Sequence, residues 1–175
     1  SGQRINRLDV STSGGSIKVN GGASTPKVKV FIRSNSWNTK LSEKEIRERL
    51  ENYILEVKVS DGTLICSAKP KKENFSWNNS NRLSIGFEID SPEKVDTDLS
   101  TSGGSITLSK LNGNLGFKTS GGSMNLDALR GNIKGSTSGG SIKMNQLSGD
   151  ISLSTSGGSI TADNSDGQIR LTTSG

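Results

Sequence analysis

Apolar residues return along the second half of the chain on a fixed schedule. Ile106, Leu108, Leu111, Leu115 and Phe117 are followed by Met124, Leu126, Leu129, Ile133 and Gly135. Ile142, Met144, Leu147, Ile151 and Leu153 come next, and then Ile160, Ala162, Ser165, Ile169 and Leu171. Each member lies 18 positions after its predecessor, and the offsets from one position to the next are 2, 3, 4, 2 and 7. A spacing of two puts both residues on one face of a strand. Every period therefore predicts two short strands, joined by a corner that the middle apolar residue plugs.

The polar positions keep the same time. Thr-Ser-Gly-Gly-Ser stands at 101–105, 119–123, 137–141 and 155–159, and begins again at Thr173. A period without drift is the signature of a repeat architecture. The motif also stands alone at Thr12–Ser16, where Leu8, Val10, Ile17 and Val19 reproduce the offsets 2, 7 and 2. The N-terminus thus holds one coil of the same kind, at about 7–20, separated from the others by an insertion. Val28, Val30 and Ile32 alternate as a strand.

The insertion covers about 35–96. Ser42 and Glu45 make a capping box, and Ile46, Leu50, Tyr53 and Ile54 follow at helical spacing, which predicts a helix over 43–53. Leu55, Val57 and Val59, then Asp61-Gly62, then Leu64, Cys66 and Ala68 read as a hairpin over 55–69 with a type I′ turn. A Lys/Asn/Ser-rich loop over 70–81 holds Phe75 and Trp77. Leu83, Ile85, Phe87 and Ile89 form a further strand that ends at Ser91-Pro92.

The fold class expected is all-β: a single-stranded β-solenoid with 18-residue coils, plus an N-terminal β-rich cap containing one short α-helix. A right-handed parallel β-helix is favoured, because parallel crossovers are right-handed and the hexapeptide rhythm of left-handed solenoids is missing. Residues 1–96 form the β-rich first part and 97–175 the solenoid repeats, continuous as one domain. The Gly-Gly pairs at one corner, and Gly113, Gly131, Gly149 and Gly167 at the other, are expected to supply positive φ. Phe117 beside Gly135 reads as a large side chain complementing a small one in the next layer.

Composition supports this form. Hydrophobic residues are 29% and aromatics 4%, with 22 glycines, too little for a thick globular core. A solenoid buries its few apolar groups coil against coil, whereas disorder would not lock them to a period. The net charge is +5; residues 1–96 carry 16 Lys/Arg against 12 Asp/Glu, and residues 97–175 carry 6 against 5. Lys69, Lys71 and Lys72 are the only dense basic run and read as a solvated turn, so nucleic acid is not an expected partner. No stretch approaches the ~20 apolar residues of a membrane span.

The chemistry available is narrow. There is no histidine and one cysteine, Cys66, which excludes Ser/His/Asp and Cys/His machinery and an internal disulfide. Cys66 reads as a small core residue. Asp98, Asp127, Asp150, Asp163 and Asp166 form no column, and Asp163–Gly167 reads as an Asx turn, since it lacks EF-hand spacing. No metal site or cofactor is expected. Outward positions give the rows Thr107, Asn125, Lys143, Thr161 and Gly116, Lys134, Ser152, Arg170. The Thr101, Thr119, Thr137, Thr155 file and the adjoining serines either offer a flat hydroxyl surface for glycan, protein or ice, or satisfy turn backbones. Candidate contacts are Lys134, Lys143 and Arg170, with Trp37, Phe75 and Trp77 from the insertion.

The run from Ile89 through Ile-Asp-Ser-Pro to Leu-Ser-Thr-Ser-Gly-Gly-Ser-Ile-Thr-Leu-Ser-Lys-Leu-Asn-Gly resembles the putative-adhesin domain family of bacterial envelope proteins. The resemblance implies a β-solenoid, export to the envelope with any leader or lipid anchor removed, and no enzymatic activity; the stop inside a repeat motif at Gly175 leaves continuation of the native chain open. It carries no functional residues over. The function expected is a non-enzymatic cell-surface adhesin or scaffold that binds glycan or envelope protein. A carbohydrate-active enzyme and an envelope element that self-assembles weakly through the solenoid ends stay as alternatives.

Overall fold

A computed structural model describes residues 4–35, 40–71 and 82–175. Thirteen strands and one helix follow in order: β1 Arg7–Thr12, β2 Ile17–Asn20, β3 Lys27–Ser34, α1 Glu43–Leu50, β4 Tyr53–Ser60, β5 Thr63–Pro70, β6 Leu83–Asp90 and β7 Asp96–Thr101, then β8 Ile106–Thr119, β9 Met124–Thr137, β10 Ile142–Asn145, β11 Ser148–Thr155, β12 Ile160–Asp163 and β13 Asp166–Thr173. All strands belong to one curled, mixed sheet.

The repeats pair in parallel with the period read from the sequence. Ile106 stands against Met124, Leu115 against Ile133 and Phe117 against Gly135. Ile142 likewise stands against Ile160, and Ile151 against Ile169. β8 and β9 each bend where Lys110 and Ala128 take φ of 55° and 51°. Each layer therefore presents two strand segments. The first face runs β3-β6-β2-β8-β9-β10-β12 and the second β4-β5-β1-β7-β8-β9-β11-β13. The inward pairs of both faces as far as β10 and β11, with the plugs Leu111, Leu129 and Leu147, join one buried core, which Ile160 partly covers, while Ile169 and Leu171 stay exposed.

The insertion is itself built into the stack. β1 pairs with β7 and β2 with β8 at a common offset of 89, as in Arg7 against Asp96 and Ile17 against Ile106. Subtracting one period of 18 leaves 71 residues looped out between adjacent layers. That loop folds back over the other side of the first coil, laying β5 on β1 and β6 on β2, both parallel. The antiparallel strands β3 and β4 then border β6 and β5. These two pairings make the sheet mixed, where the repeat pattern alone implies parallel order.

Local chemistry explains the insertion's elements. Ser42 and Glu45 close the capping box from both directions, with the Ser42 N–H donating to Glu45 Oε2 at 2.8 Å. Asp61 and Gly62 have φ of 48° and 77°, as a type I′ turn between β4 and β5 requires. The helix stops at Leu50, short of the 53 expected. Tyr53 begins β4 instead, because its buried hydroxyl accepts the Leu83 N–H at 2.9 Å. Among the described residues no helix is long and apolar enough to cross a membrane.

Candidate functional site

The Thr-Ser-Gly-Gly-Ser corner is a structural device. Thr119 Oγ1 donates to the Gly104 carbonyl of the preceding layer at 2.8 Å and accepts the Gly122 N–H of its own layer at 3.3 Å. Thr101, Thr137 and Thr155 repeat both bonds. These threonines are buried, at 2–6% exposure. A hydroxyl that is enclosed and doubly bonded has nothing left for a ligand, so of the two readings of the threonine file the one in which it satisfies turn backbones holds.

The accessible polar groups lie one row outward. On the second face, alternation puts Asp9, Asp98, Gly116, Lys134, Ser152 and Arg170 in one in-register file. Beside it run Ser11, Ser100, Lys118, Ser136, Ser154 and Thr172. Parallel strands repeat every ~4.8 Å, so the two files form a grid of hydroxyls and charges at fixed pitch. Gly116 brings no side chain to that grid and leaves a dent of about 420 Å³, walled by Asp98, Lys118, Lys134, Ser136 and Ser152. A second hollow of about 320 Å³ adjoins it, with Asp150, Ser152, Gln168 and Arg170 at its rim.

Lys134 and Arg170 therefore share one file, two layers apart. Lys143 does not join them. It points outward from the first face, between Asn125 and Thr161. Trp37, Phe75 and Trp77 lie outside the described residues. Lys118 and the serine file are the part of this surface that sequence reading missed. Their signal was present, since each follows an inward apolar or glycine position by one residue.

The grid can form hydrogen bonds and ion pairs with an extended polar ligand. It is poorly placed for bond breaking. Asp9 and Asp98 are in-register neighbours, but both are exposed on an open surface that cannot exclude water. Among the described residues no group of three His, Cys, Asp or Glu could hold a metal ion. Asp127 is tied up locally, where Asn145 Nδ2 donates to its Oδ1 at 3.1 Å. Cys66 is fully buried, and burial pushes its thiol up to about 12.

No family model matches the chain, and no curated protein matches it. Several solved structures align with the chain at 13% identity. A "putative cell adhesion protein" from Clostridium sporogenes aligns over 98% of this chain and 93% of its own, with a TM-score of 0.41. A "putative adhesin" from Bacteroides fragilis aligns over 98% and 92% with a TM-score of 0.40. A "putative lipid binding protein" from Parabacteroides distasonis aligns over 97% and 93% with a TM-score of 0.37. The likeness is loose in all three.

Proposed function

We propose that this chain is a non-enzymatic adhesive or scaffolding module of the bacterial cell surface, built as a right-handed parallel β-helix whose second face contacts a glycan or an envelope protein. The observation that carries this reading is the in-register file Asp98, Gly116, Lys134, Ser152, Arg170 with its flanking serines. Hydrogen-bonding groups held on a rigid sheet at fixed pitch suit a ligand that is itself extended and repetitive. The open grid favours binding over catalysis, because among the described residues nothing encloses a reacting bond there. The surface location follows the resemblance of the Thr-Ser-Gly-Gly-Ser coils to envelope proteins.

The test is a glycan and matrix-protein binding screen with the wild type and a Lys134→Glu/Arg170→Glu variant. Saturable binding that the double variant loses at least tenfold supports the reading. Equal binding by both proteins, or none by the wild type, overturns it. A second reading, weak self-association through β12 and β13, rests on Ile169 and Leu171, which are 40% and 39% exposed at positions buried in other layers. Sedimentation velocity across a hundredfold concentration range decides it.

A further inference from the structure

The outward residues of β3 are Lys27, Lys29, Phe31 and Arg33. Lysines on a border strand are a common guard against unwanted strand pairing. Phe31 does not fit that role, since it is 42% exposed on the outer surface. Its cross-strand partner is Gly86. A Cβ at Gly86 would stand 2.9 Å from the Ser16 carbonyl oxygen, so this position stays bare. The Phe31 ring thus borders a floor without side chains, in a cleft of about 330 Å³ also lined by Lys18, Arg33, Ser84 and Glu88. Lys18 Nζ and Glu88 Oε1 are 3.9 Å apart, beyond hydrogen-bond range, so both retain bonding capacity. Among the described residues Arg33 forms no ion pair.

We infer that this first-face cleft binds an acidic sugar residue, stacked on Phe31, with its carboxylate held by Arg33 and Lys18 and its hydroxyls donating to Glu88 and to Ser84 Oγ, whose own O–H is committed to the Gly14 carbonyl at 3.1 Å. A pyranose ring has an apolar C–H face and polar edges, which matches an aromatic ring set beside donors and acceptors. The planar guanidinium of Arg33 is suited to take a carboxylate through two parallel hydrogen bonds. A neutral sugar would leave Arg33 without a partner of opposite charge among the described residues, whereas Lys18 has Glu88 beside it. Single-stranded nucleic acid is served less well, because it calls for several stacking rings along a cationic track. This cleft offers one ring and a carboxylate in the wall. The site lies on the opposite surface from Lys134 and stands independently of the second-face reading.

Titration calorimetry with trigalacturonic acid, neutral galactotriose and a twelve-residue thymidine oligonucleotide tests the inference on the whole chain. Saturable binding of trigalacturonic acid is expected, with galactotriose at least tenfold weaker. Phe31→Ala and Arg33→Gln should each weaken the acidic sugar at least tenfold, while Phe31→Tyr, which keeps the stacking ring, and Lys44→Gln, on the exposed side of α1, leave it within twofold. Circular dichroism identifies any variant that fails to fold, and Phe31→Tyr keeps the comparison valid in that case. The inference is overturned if trigalacturonic acid does not bind, or if Phe31→Ala and Arg33→Gln bind it normally. It is equally overturned if Lys44→Gln removes the binding, or if the oligonucleotide binds more tightly through the same residues.

Discussion

The ring of Phe117 fills the space that any side chain on Gly135 would need. The two residues are in-register neighbours in β8 and β9, both facing the core. A Cβ built on Gly135 would have the ring's Cδ2 and Cζ only 2.8 Å away. Gly135→Ala should therefore cost about 1–3 kcal/mol, since overpacking a dense core forces off-rotamer shifts. Phe117→Leu alone should also destabilise by leaving a cavity. The double variant should recover part of the loss, and a urea-denaturation cycle measures that coupling.

The two glycines of one corner should differ sharply in tolerance. A Cβ on Gly121 would meet the Ser102 carbonyl oxygen at 3.5 Å, an ordinary contact. On Gly122 it would press into the Gly104 carbonyl group and stand 2.7 Å from the Ser105 nitrogen. Neither has positive φ. The requirement at Gly122 is thus close approach of stacked backbones, and the expected left-handed conformation is not its cause. Gly121→Ala should shift the unfolding midpoint little, whereas Gly122→Ala should cost more than about 2 kcal/mol or prevent folding. Thermal unfolding of the pair checks this.

Positive φ falls at the opposite corner, on Gly131, Gly149 and Gly167 but, against expectation, not on Gly113, and there it falls on side-chain-bearing residues as well. Lys110, Ala128, Gln146 and Asn164 have φ between 47° and 56°. For an L-residue the left-handed region costs roughly 1–2 kcal/mol, which glycine avoids. Ala128→Gly should stabilise the chain by about 0.5–1 kcal/mol after its larger unfolded-state entropy is counted. Asn164 is already a residue type that tolerates this region, so Asn164→Gly should gain less. Chemical denaturation of the two variants compares them directly.

Cys66 links stability to alkaline pH. Its thiol is raised from 9.0 to about 12 by burial alone. The folded state therefore keeps the thiol protonated while the unfolded chain ionises it. The sign is fixed: the contribution is complete below about pH 9 and lost as pH rises toward 12. Urea midpoints at pH 8 and 10.5 should fall more for the wild type than for Cys66→Val. A thiol reagent at pH 8 should leave Cys66 unmodified until the protein unfolds.

The repeats were legible because one rule sets them. The 18-residue period fixes the partner of every residue from 97 onward, so pairings such as Leu115 with Ile133 could be written down from the sequence. The insertion obeys no such rule. Leu64, Cys66 and Ala68 announce a strand by alternation, yet nothing in their spacing says that they lie against Leu8, Val10 and Thr12. Tyr53 fits a helical spacing and is drawn into β4 by a hydrogen bond to Leu83, thirty residues away. Of the candidate site, Lys134 and Arg170 came from the same period rule. Phe31 was hidden in a run of alternating residues, because its exposure beside Gly86 depends on an antiparallel register set by tertiary structure.

The common offset of 18 along both faces gives the molecule a measuring property. One coil more or fewer would change the length of the stack by a single step of ~4.8 Å and return every remaining side chain to its own column. A change of one residue would instead turn inward positions outward over the whole coil. Variation in coil number by whole periods is therefore a graded adjustment of reach, by which such a protein could set how far its ends stand apart while its core and both surfaces stay the same.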